Sequence, residues 1–452
     1  MGSFLNRISL FLGQDERSRN VNKNSFVIIV CKGISMLISF FLLPLTIGYV
    51  NSDTYGVWVT VSSIVAWLSV FDIGMGNGLK NKFVEYRARG DNKMVKRYVS
   101  TTYAMLGIIF VPLLIVLLII NPFIDWNGLL NIDTVEDLHM VFAIVLSYFS
   151  INFILSTINT ILIADQRPGE SSVITVIQHL LVLITIIILT HTTSGSLMNL
   201  CLTLCLIPLF IILIFNILLF KGKYKDIRPS IYDVKFSLVK DLLNLSLKFF
   251  YLQIVSLVLF QLTNFIIIRY YSANDVTLYN VAYKYFTLPT GFFAAISTPI
   301  WAAIAESLVK QDYSWITKAL RRYTFILMLF VVGEIIMLLL SSPVYKIWMR
   351  DTIDDIPFIM SLICMLCSCV LMSTNVYVNA LCGAGYLRLQ MIFCIISPVA
   401  FVVLCYLFIK VFQLGVWSVP LANLIANIYG LIVAPWQCYL VFFRKKKGIL
   451  VA

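Results

Sequence analysis

Charged side chains are scarce in this sequence. Only 12% of its 452 residues are Asp, Glu, Lys or Arg, whereas 60% are hydrophobic and the mean hydropathy is +0.92. Because a soluble domain carries about 25% charged residues, this composition excludes a water-exposed globular fold. It predicts an all-α polytopic membrane protein, since a helix of about 20 apolar residues crosses the hydrocarbon core with its backbone groups satisfied.

Histidine is also rare, and reactive motifs are missing. The three histidines have no metal-ligand or catalytic spacing, and neither a paired-carboxylate motif nor a nucleophile motif occurs. Cys364 and Cys367 form a CxxC inside an apolar run without His or acidic neighbours, which favours packing over metal or redox chemistry. We therefore expect no enzymatic activity, no metal site and no cofactor.

Apolar runs recur along the chain. With a window of about 19 residues, they predict twelve spans at 26–50, 57–71, 103–120, 140–164, 173–189, 197–220, 249–268, 276–305, 323–340, 356–381, 389–409 and 416–443. The predicted domains are a segment 1–23, a six-helix bundle 24–220, a linker 221–243, a second six-helix bundle 244–443 and a basic tail 444–452. Residues 1–23 are polar and do not resemble a signal peptide, so we expect them to remain as a cytoplasmic segment.

Basic residues are concentrated on one side of the predicted membrane. The two chain ends and every second loop hold 28 Lys and Arg residues, and the alternate loops hold four. By the positive-inside rule, both termini and the linker lie in the cytoplasm. The net charge of +12 therefore indicates membrane topology and contact with lipids, and not a nucleic-acid partner.

The two halves carry matching residues at a nearly constant offset. Glu85 and Glu306 are 221 residues apart, and so are Asp91 and Asp312. The first member of each pair follows the second predicted span, and the other member follows the eighth. Both halves would begin and end in the cytoplasm. The pattern predicts parallel repeats related by an axis along the membrane normal, with a substrate path between them.

Two lysines lie inside predicted spans, where a charged group costs about 2.5–3.5 kcal/mol. Lys32 is in the first span, and Lys284 is in the eighth, four residues after Asn280 and on the same helical face. Asn264 belongs to a polar side of the seventh span. We interpret these residues as a hydrated, cationic cavity for an anionic headgroup. The alternative is that each lysine snorkels or pairs with an acid.

Two acidic residues have open interpretations. Glu334 lies within the ninth span, where it would carry a coupling proton or neutralise a lysine. Asp72 ends the second span near the cytoplasmic surface. A helix cap is the simplest role for Asp72, and pairing with Lys80 or Lys82, or gating of the path, are the alternatives.

The segment 71–91, FDIGMGNGLKNKFVEYRARGD, joins a membrane span to a strongly basic stretch. A preceding span excludes a phosphate-binding GxGxxG, which needs a strand. Gly74, Gly76 and Gly78 are therefore predicted to permit a bend and close helix approach. Asn77 and Asn81, four residues apart, add hydrogen-bonding capacity on one face.

This segment resembles the corresponding part of O-antigen and exopolysaccharide flippases of the Wzx type, within the multidrug/oligosaccharidyl-lipid/polysaccharide exporter superfamily. The resemblance extends over the chain in span number, loop asymmetry and two-half organisation. It implies two six-helix bundles whose cavity is lined by the first, second, seventh and eighth spans. Lys32, Asp72, Asn264, Asn280 and Lys284 fall in those four spans.

The resemblance implies a bacterial inner-membrane transporter for an undecaprenyl-pyrophosphate-linked oligosaccharide, acting by alternating access and coupled to a proton or cation gradient. A polysaccharide polymerase and a chain-length regulator are the expected protein partners. Two rivals remain. A drug or cation exporter of the same fold would carry an acidic residue in the first span, where this chain has Lys32. A membrane-embedded polymerase or acyltransferase would need reactive groups, commonly in a large outer loop.

Overall fold

A computed structural model describes residues 16–72, 74–132, 137–243, 261–297, 300–309, 311–350, 352–386 and 388–444. All regular secondary structure within these residues is helical, which confirms the predicted all-α class. The first eight longer helices are α1 Glu16–Val50, α2 Ser52–Ala66, α3 Met75–Ala88, α4 Asn92–Ile120, α5 Leu138–Leu155, α6 Thr157–Ala164, α7 Pro168–Thr192 and α8 Leu197–Lys221.

The later helices follow a described helical stretch at 261–270. They are α9 Ala273–Ser297, α10 Ile300–Val309, α11 Tyr313–Leu339, α12 Ser341–Met349, α13 Phe358–Gly383, α14 Arg388–Tyr406, α15 Ser418–Ala426 and α16 Val433–Cys438. Several helices contain an internal proline, such as Pro112 in α4 and Pro289 in α9. Membrane helices tolerate such residues because neighbouring groups can satisfy the freed backbone carbonyls.

Eight helices of the described part are long and apolar enough to cross a membrane, and the count is nine if a bent pair near the C-terminus is one span. The predicted spans at 57–71 and 276–305 are not among them. In the first, α2 ends at Ala66 and a 3-10 turn follows, so the helix is too short. In the second, α9 is long enough, but polar residues such as Asn280 and Lys284 make it less apolar than a typical span. Most of the predicted span 249–268 lies outside the described residues. The count of twelve therefore stays a prediction.

The chain forms two compact units. The first comprises residues 1–50, 65–127 and 134–254, and the second comprises 51–64, 128–133 and 255–452. The segment 51–64, which begins the second predicted span, thus belongs to the second unit. The predicted domain boundaries at 220 and 244 stay predictions.

Helix α4 shows how one helix separates core from lipid. Ile108, Val111, Ile115 and Ile119 lie three or four residues apart and are all exposed, whereas Phe110 is buried. An exposed aliphatic stripe of this length would be unfavourable in water and is suited to contact with lipid acyl chains.

The same turn precedes α4 in the first unit and α11 in the second. The Asp91 carboxylate accepts a hydrogen bond from the Met94 amide at 2.9 Å, and the Asp312 carboxylate accepts one from the Trp315 amide at 2.9 Å. Each aspartate is an N-cap, which satisfies a backbone donor at the start of its helix.

The backbone of these turns also matches. The Asp91 amide donates to the Tyr86 carbonyl at 3.0 Å, and the Asp312 amide donates to the Ser307 carbonyl at 2.9 Å. The residue before each aspartate has positive φ, and the two turns are 221 residues apart. The spacing noticed in the sequence therefore corresponds to one local structure that occurs in both units.

Within the second unit, α2 approaches the start of α9 through a glycine. A Cβ atom added to Gly56 would lie 1.8 Å from the Ala273 carbonyl oxygen, so the backbones meet where a side chain has no space. Close approach of this kind is the main packing device of membrane helices, because lipid supplies no hydrophobic driving force between them.

We predict that Gly56→Ala destabilises the protein, because overpacking against backbone costs about 1–3 kcal/mol. The matched control is Gly107→Ala in α4, where a new Cβ has no neighbour within 4 Å. The midpoint of thermal unfolding of the purified protein in detergent should fall for the first variant and stay unchanged or rise for the second. Equal midpoints would contradict the close packing at Gly56.

Candidate functional site

Three polar side chains form a hydrogen-bonded ladder inside the second unit. The Asn264 amide donates to the Ser63 hydroxyl at 2.9 Å, and the Asn280 amide donates to the Asn264 side-chain oxygen at 2.9 Å. Asn264 is buried and Asn280 is half-buried. The structure thus brings together two of the predicted site residues and adds Ser63, which the sequence analysis did not select.

Lys284 lies one helical turn beyond Asn280 on α9 and is half-buried. Among the residues that the structure describes, no carboxylate forms a salt bridge with its ammonium group. The described part of the chain therefore offers no acidic partner of the kind that a purely structural role would use. The arrangement places one cation at the end of a row of amide and hydroxyl groups.

Glu334 is fully buried in the second unit, where α9, α11 and α13 meet. Its Oε1 lies 2.7 Å from Ser368 Oγ, and its Oε2 has no hydrogen-bond partner among the described residues. Ser368 Oγ also lies 2.7 Å from the Phe286 carbonyl oxygen and 2.6 Å from the Thr290 hydroxyl. Within the described ranges, Glu334 therefore contacts a serine and no lysine.

The hydrogens available to this cluster are limited. A serine hydroxyl has one hydrogen to donate, and a carbonyl or an ionised carboxylate can only accept. Ser368 can therefore satisfy either the Phe286 carbonyl or an ionised Glu334, but not both. A proton on Glu334 completes the set, because the carboxyl then donates to Ser368 and Ser368 donates to Phe286.

The remaining predicted site residues lie in the first unit. Lys32 is exposed on α1, directly after buried Cys31. Asp72 ends the 3-10 turn Trp67–Asp72, and its side chain lies outside the described residues. A cavity shared by Lys32 and Lys284 stays a prediction.

The three signature glycines have different environments. Gly74 has φ +70° and precedes α3, a conformation that suits glycine. Gly76 and Gly78 lie within α3, and a Cβ on Gly76 would meet the Thr160 hydroxyl of α6 at 3.4 Å. Asn77 and Asn81 are exposed on the same helix. The chain therefore turns at Gly74, while the next two glycines lie in a regular helix.

The basic stretch after the glycines is held by ion pairs. Lys82 bonds Glu85 at 2.9 Å, and Arg89 lies 2.9 Å from the other oxygen of that carboxylate. The hydrogen bond raises the pKa of Lys82 and lowers the pKa of Glu85. Both groups therefore stay charged at neutral pH. Arg87 pairs with Asp226 at 3.0 Å, which fastens the linker to α3.

A cavity of about 640 Å³ lies within the first unit at the ends of α6, α7 and α8. Its polar side consists of Asp165, Gln166, Arg167 and Glu170, and the rest is formed by Gly169 and by leucine, isoleucine, valine and phenylalanine side chains. Arg167 pairs with Glu170 at 2.7 Å, and this hydrogen bond raises the pKa of Arg167. The charges satisfy one another, and none of the predicted site residues lines this cavity.

We predict that the Asn264–Asn280 contact stabilises the second unit by about 0.6–2 kcal/mol, the usual range for side-chain hydrogen bonds in membranes. A double-mutant cycle with Asn264→Ala and Asn280→Ala, followed by unfolding in detergent, measures this coupling. Additive effects of the two substitutions would contradict the ladder. Asn81→Ala, at an exposed position, should leave stability nearly unchanged.

The sequence pattern of the polysaccharide biosynthesis protein family matches residues 21–305, more than half of the chain. A protein of Salmonella typhi, named as an O-antigen transporter, is 23% identical over 293 residues, 63% of this chain and 64% of that relative. The chain thus spans just under two thirds of that relative. A protein of Yersinia pseudotuberculosis, named as an O-antigen export protein, is 20% identical over 70% of this chain and 72% of its own length.

Solved structures share the fold. A multidrug resistance MATE family transporter of the MOP superfamily, in an inward-facing conformation, superposes with a TM-score of 0.71 at 14% identity, over 94% of this chain and 96% of that chain. Lipid II flippase MurJ superposes with a TM-score of 0.68 at 16% identity, over 94% and 88%. At these identities the likeness concerns the fold alone. By the family match, the chain belongs to the polysaccharide biosynthesis protein family, as a multi-pass protein of the bacterial inner membrane.

Proposed function

We propose that this protein is a flippase that moves undecaprenyl-pyrophosphate-linked oligosaccharide repeat units, of O-antigen or exopolysaccharide, from the inner to the outer leaflet. The observation that carries the proposal is the family match over residues 21–305. Relatives named for O-antigen transport and export support this class of cargo. The protein is thus a transporter and not an enzyme.

The proposed cargo site uses Lys284, Asn280 and Asn264 in the second unit, with Lys32 and Asp72 contributed by the first. A diphosphate is a strong hydrogen-bond acceptor with a negative charge, and a lysine ammonium in a low-dielectric site offsets that charge effectively. Side-chain amides have two donors and an acceptor with two lone pairs. Asn264 and the Val276 carbonyl take both donors of Asn280, so its side-chain oxygen is the group that would accept from a sugar hydroxyl.

The proposed architecture has twelve spans in two six-helix halves, with both termini in the cytoplasm. The matched turns around Asp91 and Asp312 support parallel repeats, and the imbalance of 28 to four basic residues supports the orientation. Transport would follow alternating access. The headgroup enters from the cytoplasm while the prenyl chain stays in lipid, and rocking of the halves exposes the cargo to the outside. The bend at Gly74 would let the second span and α3 change direction.

Glu334 is the proposed coupling group. A buried carboxylate without a cation is costly, and its unpartnered Oε2 offers a place for a proton or a small cation. A proton is favoured, because it also resolves the shortage of hydrogens around Ser368. Phe286, whose carbonyl contacts Ser368, and Lys284 are two residues apart on α9. Binding of a proton to Glu334 would therefore affect the cargo site through this one helix. A polysaccharide polymerase and a chain-length regulator remain the proposed protein partners.

We predict that replacing both intramembrane lysines, by Lys32→Ala with Lys284→Ala, abolishes export of lipid-linked repeat units, because the diphosphate loses its compensating charge. Surface polysaccharide in a strain that depends on this protein measures export, and immunoblotting of membranes measures abundance. The control is Lys346→Ala, at an exposed lysine outside the predicted spans. Normal export by the double variant at normal abundance would rule out the lysines as headgroup ligands.

Glu334→Gln provides the second prediction. The amide can donate to Ser368 as a protonated carboxyl does, so the variant should fold normally but no longer bind or release a proton. In proteoliposomes, its transport rate should no longer respond to an imposed pH gradient. Asp355→Asn, at an exposed outer residue, should keep the response of the parent protein. A pH response of parental size in Glu334→Gln would disprove the coupling role.

A further inference from the structure

The linker between the last helix of the first unit and residue 243 is held in a defined path along α4. Its acidic residues bind cations or a hydroxyl of the first unit. Asp226 pairs with Arg87 at 3.0 Å, and Asp233 pairs with Lys96 at 2.8 Å. Tyr224, Ile227 and Leu242 of the linker are fully buried in the core of this unit. The linker is therefore an ordered strap, fastened by charge and by packing.

The opposite side of the strap exposes three large apolar side chains. Ile231 is 84% exposed, Tyr232 is 91% exposed and Phe236 is 63% exposed. We call these three residues the linker patch. They occupy the short 3-10 turns Ile231–Asp233 and Phe236–Leu238. Such a group would be costly in water, since exposed apolar patches in proteins usually mark contact surfaces.

Helix α4 gives the height of the linker patch relative to the membrane. A span needs about 20 residues, and twenty residues counted back from the helix end at Ile120 begin at Thr101. The Ser230 amide donates to Ser100 Oγ at 3.0 Å, and the Lys235 amide donates to Thr101 Oγ1 at 3.0 Å. The strap therefore crosses α4 at the edge of the hydrocarbon core, on the side that the basic loops assign to the cytoplasm.

The charge around the linker patch suits anionic lipid. Arg228, Lys235 and Lys240 are exposed, and none of them forms a salt bridge among the residues that the structure describes. Basic residues next to a membrane attract the anionic phospholipids of the cytoplasmic leaflet. Tyrosine and other aromatic residues are favoured at headgroup level, where an apolar ring and a polar tip are both satisfied.

We propose that the linker patch is a membrane-surface anchor. Ile231, Tyr232 and Phe236 insert among the headgroups of the inner leaflet, and Arg228, Lys235 and Lys240 bind anionic phospholipid phosphates around them. The segment that joins the two units is thereby held at the membrane surface. This role is independent of the cargo that the protein carries.

Tyr232→Trp in the full-length protein tests the insertion. The protein is reconstituted in vesicles of phosphatidylethanolamine and phosphatidylglycerol, with or without bromine on the upper acyl chain, and the parent spectrum is subtracted because eight native tryptophans are present. The added emission should lie at short wavelength and be quenched by the brominated lipid. The control is Lys93→Trp, at an exposed position of α4 that lies about 12 Å by helical rise from Thr101, on the side away from the hydrocarbon. Its emission should not be quenched. Equal, unquenched emission from both variants would overturn the proposal.

A second measurement tests the lipid class. Native mass spectrometry of the purified protein should show less retained phosphatidylglycerol when Arg228, Lys235 and Lys240 are all replaced by glutamine. The matched control replaces Lys346, Arg350 and Lys410, which are predicted from the sequence to lie on the opposite side of the membrane. Equal retention by the two triple variants would refute the binding of anionic lipid at the strap.

Discussion

A polar group inside a membrane has no water to bond with, so the protein itself must supply its partners. This constraint determines the arrangement of the second unit. Asn264 satisfies both Ser63 and Asn280, and Ser368 contacts buried Glu334. These contacts stabilise the unit together with the close backbone packing at Gly56. The groups left with spare hydrogen-bonding capacity are then the natural candidates for binding cargo.

Helix α9 connects the two polar clusters. It carries Asn280 and Lys284 on one stretch, and one turn further it contributes the Phe286 carbonyl and the Thr290 hydroxyl to the cluster around Glu334. Pro289 lies between Phe286 and Thr290 and removes one backbone donor from the helix. A change in the hydrogen bonds of Glu334 therefore acts on the same helix that presents the proposed headgroup ligand.

Periodicity and spacing in the sequence predict part of this structure. The constant offset of Asp91 and Asp312 predicts that they are equivalent positions of a repeat, and the shared face of Asn280 and Lys284 follows from helical geometry. The role of both aspartates as helix caps became visible only in the structure. The start of α4 at Asn92, well before the predicted span at 103, reflects a helix that continues beyond the hydrocarbon after its aspartate cap. The contacts of Ser63 and Ser368 could not be predicted, because they join residues 201 and 34 positions apart in the chain. A single sequence contains no signal for such long-range pairs. Gly76 and Gly78 lie in a helix although glycine has a low helix propensity, because packing against α6 outweighs it.

The central claim is that this protein moves a lipid-linked oligosaccharide between leaflets. The most direct measurement uses proteoliposomes loaded with an undecaprenyl-pyrophosphate oligosaccharide and follows how much of the sugar is accessible to a membrane-impermeant glycosidase. With the protein present, the accessible fraction should rise from the outer-leaflet share towards the whole pool. If the fraction stays at the level of protein-free vesicles, under either an imposed pH gradient or none, the account is wrong.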